Sequence, residues 1–185
     1  MTRLPKVTRE SLSENNQKHF DYVAGSRGDV SGPFLVLLNS PDVAERIAHV
    51  GTYIRFETTL SPELREIAIL TVARTWNCQY EWTAHQPIAE SAGVRKEAIE
   101  SIRDNLAPAG LLEEEAMVFN YVSNLLKNGR IPDGIFDKAK DMLGVQTVTD
   151  LTATTGYYSM LACALNAAQV MPEPGKTALL PNAEY

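Results

Sequence analysis

Residues 63–93 read ELREIAILTVARTWNCQYEWTAHQPIAESAG, and how this run folds decides the architecture of the chain. Its first half is apolar almost all round: Leu64, Ile67, Ala68, Ile69, Leu70, Val72 and Ala73 leave no polar stripe for water. Ser61-Pro62 supplies a capping hydroxyl and a proline at the first helical position, so a core helix is predicted over 62–76. At about 100° per residue, Glu66 falls beside Leu70 and Ala73, which turns its carboxylate inward. A buried carboxylate is costly to leave alone, so Glu66 needs a partner.

The second half predicts another helix, with Asn77 as its N-cap, Cys78 at its first position and Gly93 closing it. Unpaired N–H groups and the helix dipole at that end favour a thiolate. Cys78, Glu81 and His85 project within roughly a 60° arc, which Ile88, Ala89 and Ala92 continue. The opposite side carries Gln79, Thr83, Gln86 and Glu90, expected to face water. The reactive groups therefore share the apolar face and the inert polar ones the wet face. This inverts the usual pattern and marks a candidate functional site. Pro87 removes the helical hydrogen bond to Thr83 and predicts a kink just past His85.

Blander readings compete with each of these. A lone Cys78 on an apolar face is a small core residue, and Glu81 with His85 is an i,i+4 pair. A metal site needs three or four converging ligands. His19 and His49 are far away in sequence and no second cluster accompanies them, so no metal is expected. Cys163, Tyr157 and Tyr158 read as packing residues.

Outward from this run the chain reads as helix. Thr8 caps a first helix over 8–23, ended by Gly25 and Gly28, and GSRGDVSGP (25–33) is a loop. Ser40-Pro41 opens a helix to Phe56, while PFLVLL (33–38) suits helix or strand. Further helices are predicted over 95–105, over 113–127 up to Asn128-Gly129, and over 133–143 up to Gly144. Thr147 with Asp150 opens the last one, whose Ala153, Gly156, Ser159 and Ala162 suit a central helix or a subunit interface. The expectation is one all-α domain over 1–185, with its core at about 31–170 and an extended arm over 172–185.

Composition bounds the function. At 185 residues, 44% hydrophobic and 22% charged, the chain has the makings of an ordinary folded core. Its net charge of −6 provides no basic footprint for nucleic acid. The uncharged stretch 151–171 holds too many hydroxyls and amides for a lipid-facing helix, so no membrane partner is expected. Two cysteines and no visible signal segment point to a reducing cytoplasm rather than a disulfide framework.

The run from Glu63 to Gly93 resembles the core of the carboxymuconolactone decarboxylase / alkylhydroperoxidase D-like superfamily. Residues 31–47 and 149–167 are similar to flanking segments of longer, bacterial-type members. The resemblance implies an all-α fold that assembles into homo-oligomers, trimers or hexamers, with the site near subunit contacts. The superfamily's peroxidase branch carries a glutamate, then C-x-x-C, then a histidine. Here Glu66, Cys78 and His85 match that pattern, and Glu81 replaces the second cysteine. A dithiol cycle needs a resolving thiol, and the only other one is Cys163, on a segment that reads as buried. E-W-x-x-H is similar instead to the decarboxylase branch, which works without metal or organic cofactor.

The expected activity is cofactor-independent acid/base chemistry on a small carboxylated lactone or carbonyl compound. His85 would carry the proton, Glu81 would orient it and Glu66 would share or relay it. Arg74 or Arg55 would hold a substrate carboxylate, and Cys78 would be a pocket wall or a secondary donor. The alternatives are a thiol-dependent peroxidase or sensor using Cys78, and a binding or assembly protein without turnover.

Overall fold

The computed structural model describes residues 2–106, 110–173, 175 and 180. Among them there is no strand. A single 3-10 turn (Arg9–Ser11) precedes eight α-helices: α1 (Glu14–Arg27), α2 (Phe34–Leu37), α3 (Pro41–Phe56), α4 (Pro62–Thr75), α5 (Gln79–Ala92), α6 (Lys96–Arg103), α7 (Glu113–Asn128) and α8 (Asp133–Ala168). The ambiguous run 33–38 is thus helical, as α2. Thr8 starts only the 3-10 turn, Ser13 is the N-cap of α1, and Gly28 rather than Gly25 ends that helix in the left-handed region. No helix among the described residues is long and apolar enough to cross a membrane. Of the predicted arm, only Pro172, Glu173, Gly175 and Leu180 fall within the described residues.

The chain divides into two compact units, Met1–Thr58 with Cys163–Met171, and Thr59–Ala162 with Pro172–Tyr185. In the first, Val23, Phe34, Leu38, Ala44 and Ala48 form a core closed by Val7. The Arg27 guanidinium lies over the Phe34 ring. His19, itself buried, hydrogen-bonds Glu45 of α3.

The second unit is built around α4. Every residue from Glu66 to Ala73 is buried, which is what a helix apolar on all sides requires. Ser61 caps it by accepting from the Leu64 N–H at 3.4 Å. The chain then turns through Asn77, whose φ of 52° lies in the left-handed region that asparagine tolerates. This short turn lets α5 fold back on α4. It also moves the cap by one residue: Cys78, not Asn77, is the N-cap, and Gln79 is the first helical residue. The Cys78 thiol makes no capping hydrogen bond.

Gly144 breaks α8 with φ 80° and ψ 162°, a conformation open in practice only to glycine. An added Cβ would meet nothing within 4 Å, so the strain of a substitution is the backbone's alone. Gly144→Ala is expected to lower the unfolding free energy by about 1–3 kcal/mol, read from a denaturant midpoint. Because the break already restarts the helix, Thr147 and Asp150 are not its capping box. Instead Asp150 accepts from the Thr59 N–H (2.8 Å) and hydroxyl (2.9 Å), and Thr147 meets the same hydroxyl at 2.9 Å. Both residues pin the segment that leads into α4.

Candidate active site

Glu66 of α4 and Glu81 and His85 of α5 meet inside the second unit. Glu66 is 2% exposed, and its Oε2 lies 2.8 Å from His85 Nδ1. On the other side of the ring, Nε2 lies 3.4 Å from Glu81 Oε2, and Glu81 is buried. The second Glu66 oxygen, Oε1, lies 3.5 Å from Arg65 Nε. The result is a chain of charge-bearing groups, Arg65–Glu66–His85–Glu81. Arg65 and Glu66 are adjacent in α4, Glu81 and His85 lie one turn apart in α5, and the Glu66–His85 contact crosses between the two helices.

The proton inventory of this chain defines its chemistry. A doubly protonated imidazole donates to both carboxylates. A singly protonated ring donates to one and offers a lone pair on the other side. The shorter contact assigns the N–H to Nδ1, facing Glu66, which leaves Nε2 as the nitrogen that gives or takes a proton. With the guanidinium and the imidazolium against two carboxylates, the protonated cluster sums to zero charge. Such compensation is what burial demands.

Tyr158 of α8 packs edge-on against the His85 ring, with centroids 5.1 Å apart at 88°, and Tyr157 packs the same way on Tyr158. In the sequence both read as packing residues. That reading describes Tyr157, whereas Tyr158 touches the site. The only signal for it was a pair of large rings in a helix of small residues.

Other expected site residues lie elsewhere. Cys78 is fully buried beside Gln79. Cys163 is exposed, contrary to the expected buried segment, because the face of α8 that carries it is not the one that packs. Arg74 donates Nε–H to the Arg103 carbonyl (2.6 Å) and Nη1–H to Asn77 (2.9 Å), tying the end of α4 to α6. Arg55 belongs to the first unit, where its guanidinium lies over the Phe56 ring. Ile88, predicted on the apolar arc, is exposed, whereas Gln79 and Thr83, predicted to face water, are buried. Among the described residues, no group of three or more His, Cys, Asp or Glu side chains is placed to hold a metal ion.

Among the described residues of this unit, two buried donors lack a partner: Trp82 Nε1–H, one turn before His85, and the Thr154 hydroxyl, one turn before Tyr158. An unsatisfied buried hydroxyl is a liability that an isosteric apolar group removes. Thr154→Val is expected to leave the fold intact and to raise stability by about 1 kcal/mol, measured by denaturant unfolding.

The helical architecture is that of the alkylhydroperoxidase D-like fold, as comparison with solved structures shows. The chain superposes on the crystal structure of an alkylhydroperoxidase AhpD core, an uncharacterized peroxidase-related protein from Ralstonia eutropha JMP134. The TM-score is 0.78 and the identity 15%, over 96% of this chain and 95% of that one. An uncharacterized peroxidase-related protein from Silicibacter sp. TM1040 gives 0.74 and 16%, over 97% and 95%. The debrominase Bmp8 gives 0.73 and 13%, over 92% of each chain. At such identities the likeness is one of fold. Residues 41–123, which include Glu66, Cys78, Glu81 and His85, match the model of the carboxymuconolactone decarboxylase family. Residues 41–123 are thus similar to the carboxymuconolactone decarboxylase family, and the fold of the chain is that of the alkylhydroperoxidase D-like proteins. No curated protein matches it by sequence.

Proposed function

We propose that this chain is a cofactor-independent acid/base enzyme acting on a small carboxylated lactone or carbonyl compound, with His85 as the proton carrier. The observation that carries the reading is the His85 imidazole held by Glu66 at 2.8 Å and flanked by Glu81 at 3.4 Å. An imidazole oriented by a carboxylate on one nitrogen and active on the other is the standard equipment of general acid/base catalysis. The match of residues 41–123 to the carboxymuconolactone decarboxylase family model supports a decarboxylation of that type.

In that reaction the bond between carbon and the leaving carboxylate breaks heterolytically. CO2 departs, and the electron pair passes into the conjugated lactone carbonyl to give an enolate. His85 then delivers its proton to carbon as the pair returns, and water restores the proton to the ring. Glu66 fixes the ring through Nδ1. Glu81 stabilises the imidazolium before transfer. Arg65, already on Glu66, suits the substrate carboxylate better than Arg74, whose donors serve Arg103 and Asn77. Turnover in D2O tests the proton step: the reading predicts a product carrying one deuterium on one face of the new C–H carbon. Deuterium spread equally over both faces would mean protonation in free solution and would overturn the role given to His85.

The rival reading makes Cys78 a peroxide-reactive thiol. Its complete burial weighs against it, since reactive thiolates are accessible ones. The debrominase Bmp8, a structural neighbour, has been solved in complex with 2,3,4-tribromopyrrole, so brominated pyrroles belong in the substrate panel.

A further inference from the structure

A groove on the first unit takes no part in the chemistry above. It runs between α1 and α3, has a volume of about 830 Å³, and is lined by residues of those two helices. All of them fall within Met1–Thr58. A cleft of this size suits one small organic molecule. Its floor repeats the plan of the active site: His19 is 6% exposed, and its Nδ1 pairs with the Glu45 carboxylate of the facing helix, as His85 pairs with Glu66. The ring is thereby fixed, with Nε2 left for a ligand.

Around that floor the carboxylates are taken and several donors are not. Asp42 accepts from Arg46, one turn on, at 3.0 Å, and Glu45 is held by His19. The Asp42 carboxyl is drawn below its ordinary range, first by the Arg46 hydrogen bond and further by His19 and Lys18, so both stand close by. The Lys18, Tyr22 and His49 side chains line the same groove and make no hydrogen bond among the described residues. An ammonium and an imidazole N–H without acceptors suit a ligand that brings acceptors of its own. In a chain of net charge −6 such a concentration of basic side chains is a local exception, and it favours an anion. Tyr22 and Val50, 36% and 49% exposed, add an apolar wall that an inorganic ion would leave uncovered.

We infer that the groove between α1 and α3 binds a small cyclic carboxylate. Lys18 and His49 hold its oxygens, His19 meets it from the floor through Nε2, and Tyr22 and Val50 cover its ring. Arg46 stays with Asp42, so Lys18 supplies the charge that reads the ligand. The site serves recognition and does not depend on the proton transfer assigned to His85.

The chain has three histidines, two in this groove and one in the active site, so their ring resonances report which site fills. The test titrates benzoate into the full-length protein at constant pH and ionic strength and follows those rings by NMR. Spectra of His49→Gln and His85→Gln assign the peaks. His19 and His49 are expected to shift together along one saturable curve. Lys18→Glu, a charge reversal at an exposed position, should weaken that affinity about tenfold or more, and Lys18→Arg should keep it within about threefold. Benzyl alcohol has the ring without the charge, and inorganic phosphate the charge without the ring. Each should bind about tenfold more weakly than benzoate, or worse. Shifts confined to His85, an unchanged titration in Lys18→Glu, or phosphate binding as tightly as benzoate would overturn the inference. None of these results touches the decarboxylation reading, which is tested by turnover.

Discussion

His85→Ala is expected to lower turnover by about 10²–10⁴-fold, the range a positioned acid/base group supplies, with the protein still folded. The loss should fall on kcat rather than KM, because the imidazole moves the proton and does not hold the substrate. Folding should survive because the side chain sits at the edge of the core, 12% exposed. Its removal also leaves Glu66 with Arg65 on its other oxygen. His85→Gln makes the sharper comparison: it keeps a donor near Glu66 but has no ring nitrogen that can give and take a proton, so it should be as inactive as alanine. An active glutamine variant would reduce the ring to a hydrogen-bonding prop.

Glu66→Ala should do more damage to the molecule as a whole. It removes the partner of both His85 and Arg65 at a position 2% exposed, in the middle of the most buried helix. Removing one partner of a buried charge pair costs about 3–5 kcal/mol, and here the His85 ring is left with the longer 3.4 Å contact to Glu81. The expectation is a large fall in the unfolding midpoint together with loss of activity. Glu66→Gln separates the two effects. It preserves shape and an acceptor for the Nδ1–H, so stability should largely return while activity stays low, because a neutral amide cannot share or relay the proton as a carboxylate can.

Much of this site was legible in the sequence, and the reasons are local. The helix over Pro62–Thr75 declared itself because an all-round apolar pattern has no other soluble solution, and the inward turn of Glu66 followed from helical geometry alone. The shared face of Glu81 and His85 followed in the same way. Projection gives a direction but not a partner across the gap. It could not show that the 2.8 Å contact of His85 reaches Glu66 of the preceding helix, while its own-helix neighbour Glu81 stands further off.

What stayed hidden depends on contacts distant in sequence. Gln79 and Thr83 looked solvated because they share a helix face with Gln86 and Glu90. Leu180, which buries Gln79, lies 101 residues away. Thr147 and Asp150 carry the spacing of a capping box, yet the glycine break at Gly144 removes the need for one and frees both for Thr59, 88 and 91 residues earlier. Tyr158 was hidden likewise: its ring meets His85 across helices, and no spacing within α8 encodes that. Arg74 looked like a substrate anchor by charge alone, whereas the turn at Asn77 gives it a carbonyl and an amide oxygen to hold.

The central claim is that catalytic weight rests on His85 and not on the Cys78 thiol. The most direct test is CO2 release from γ-carboxylated lactones by wild type, His85→Ala and Cys78→Ser under one set of conditions. The account predicts release by wild type and by Cys78→Ser at comparable rates, and a rate lower by about 10² or more for His85→Ala. Equal rates for His85→Ala and wild type, or activity lost with Cys78→Ser and kept with His85→Ala, would contradict it.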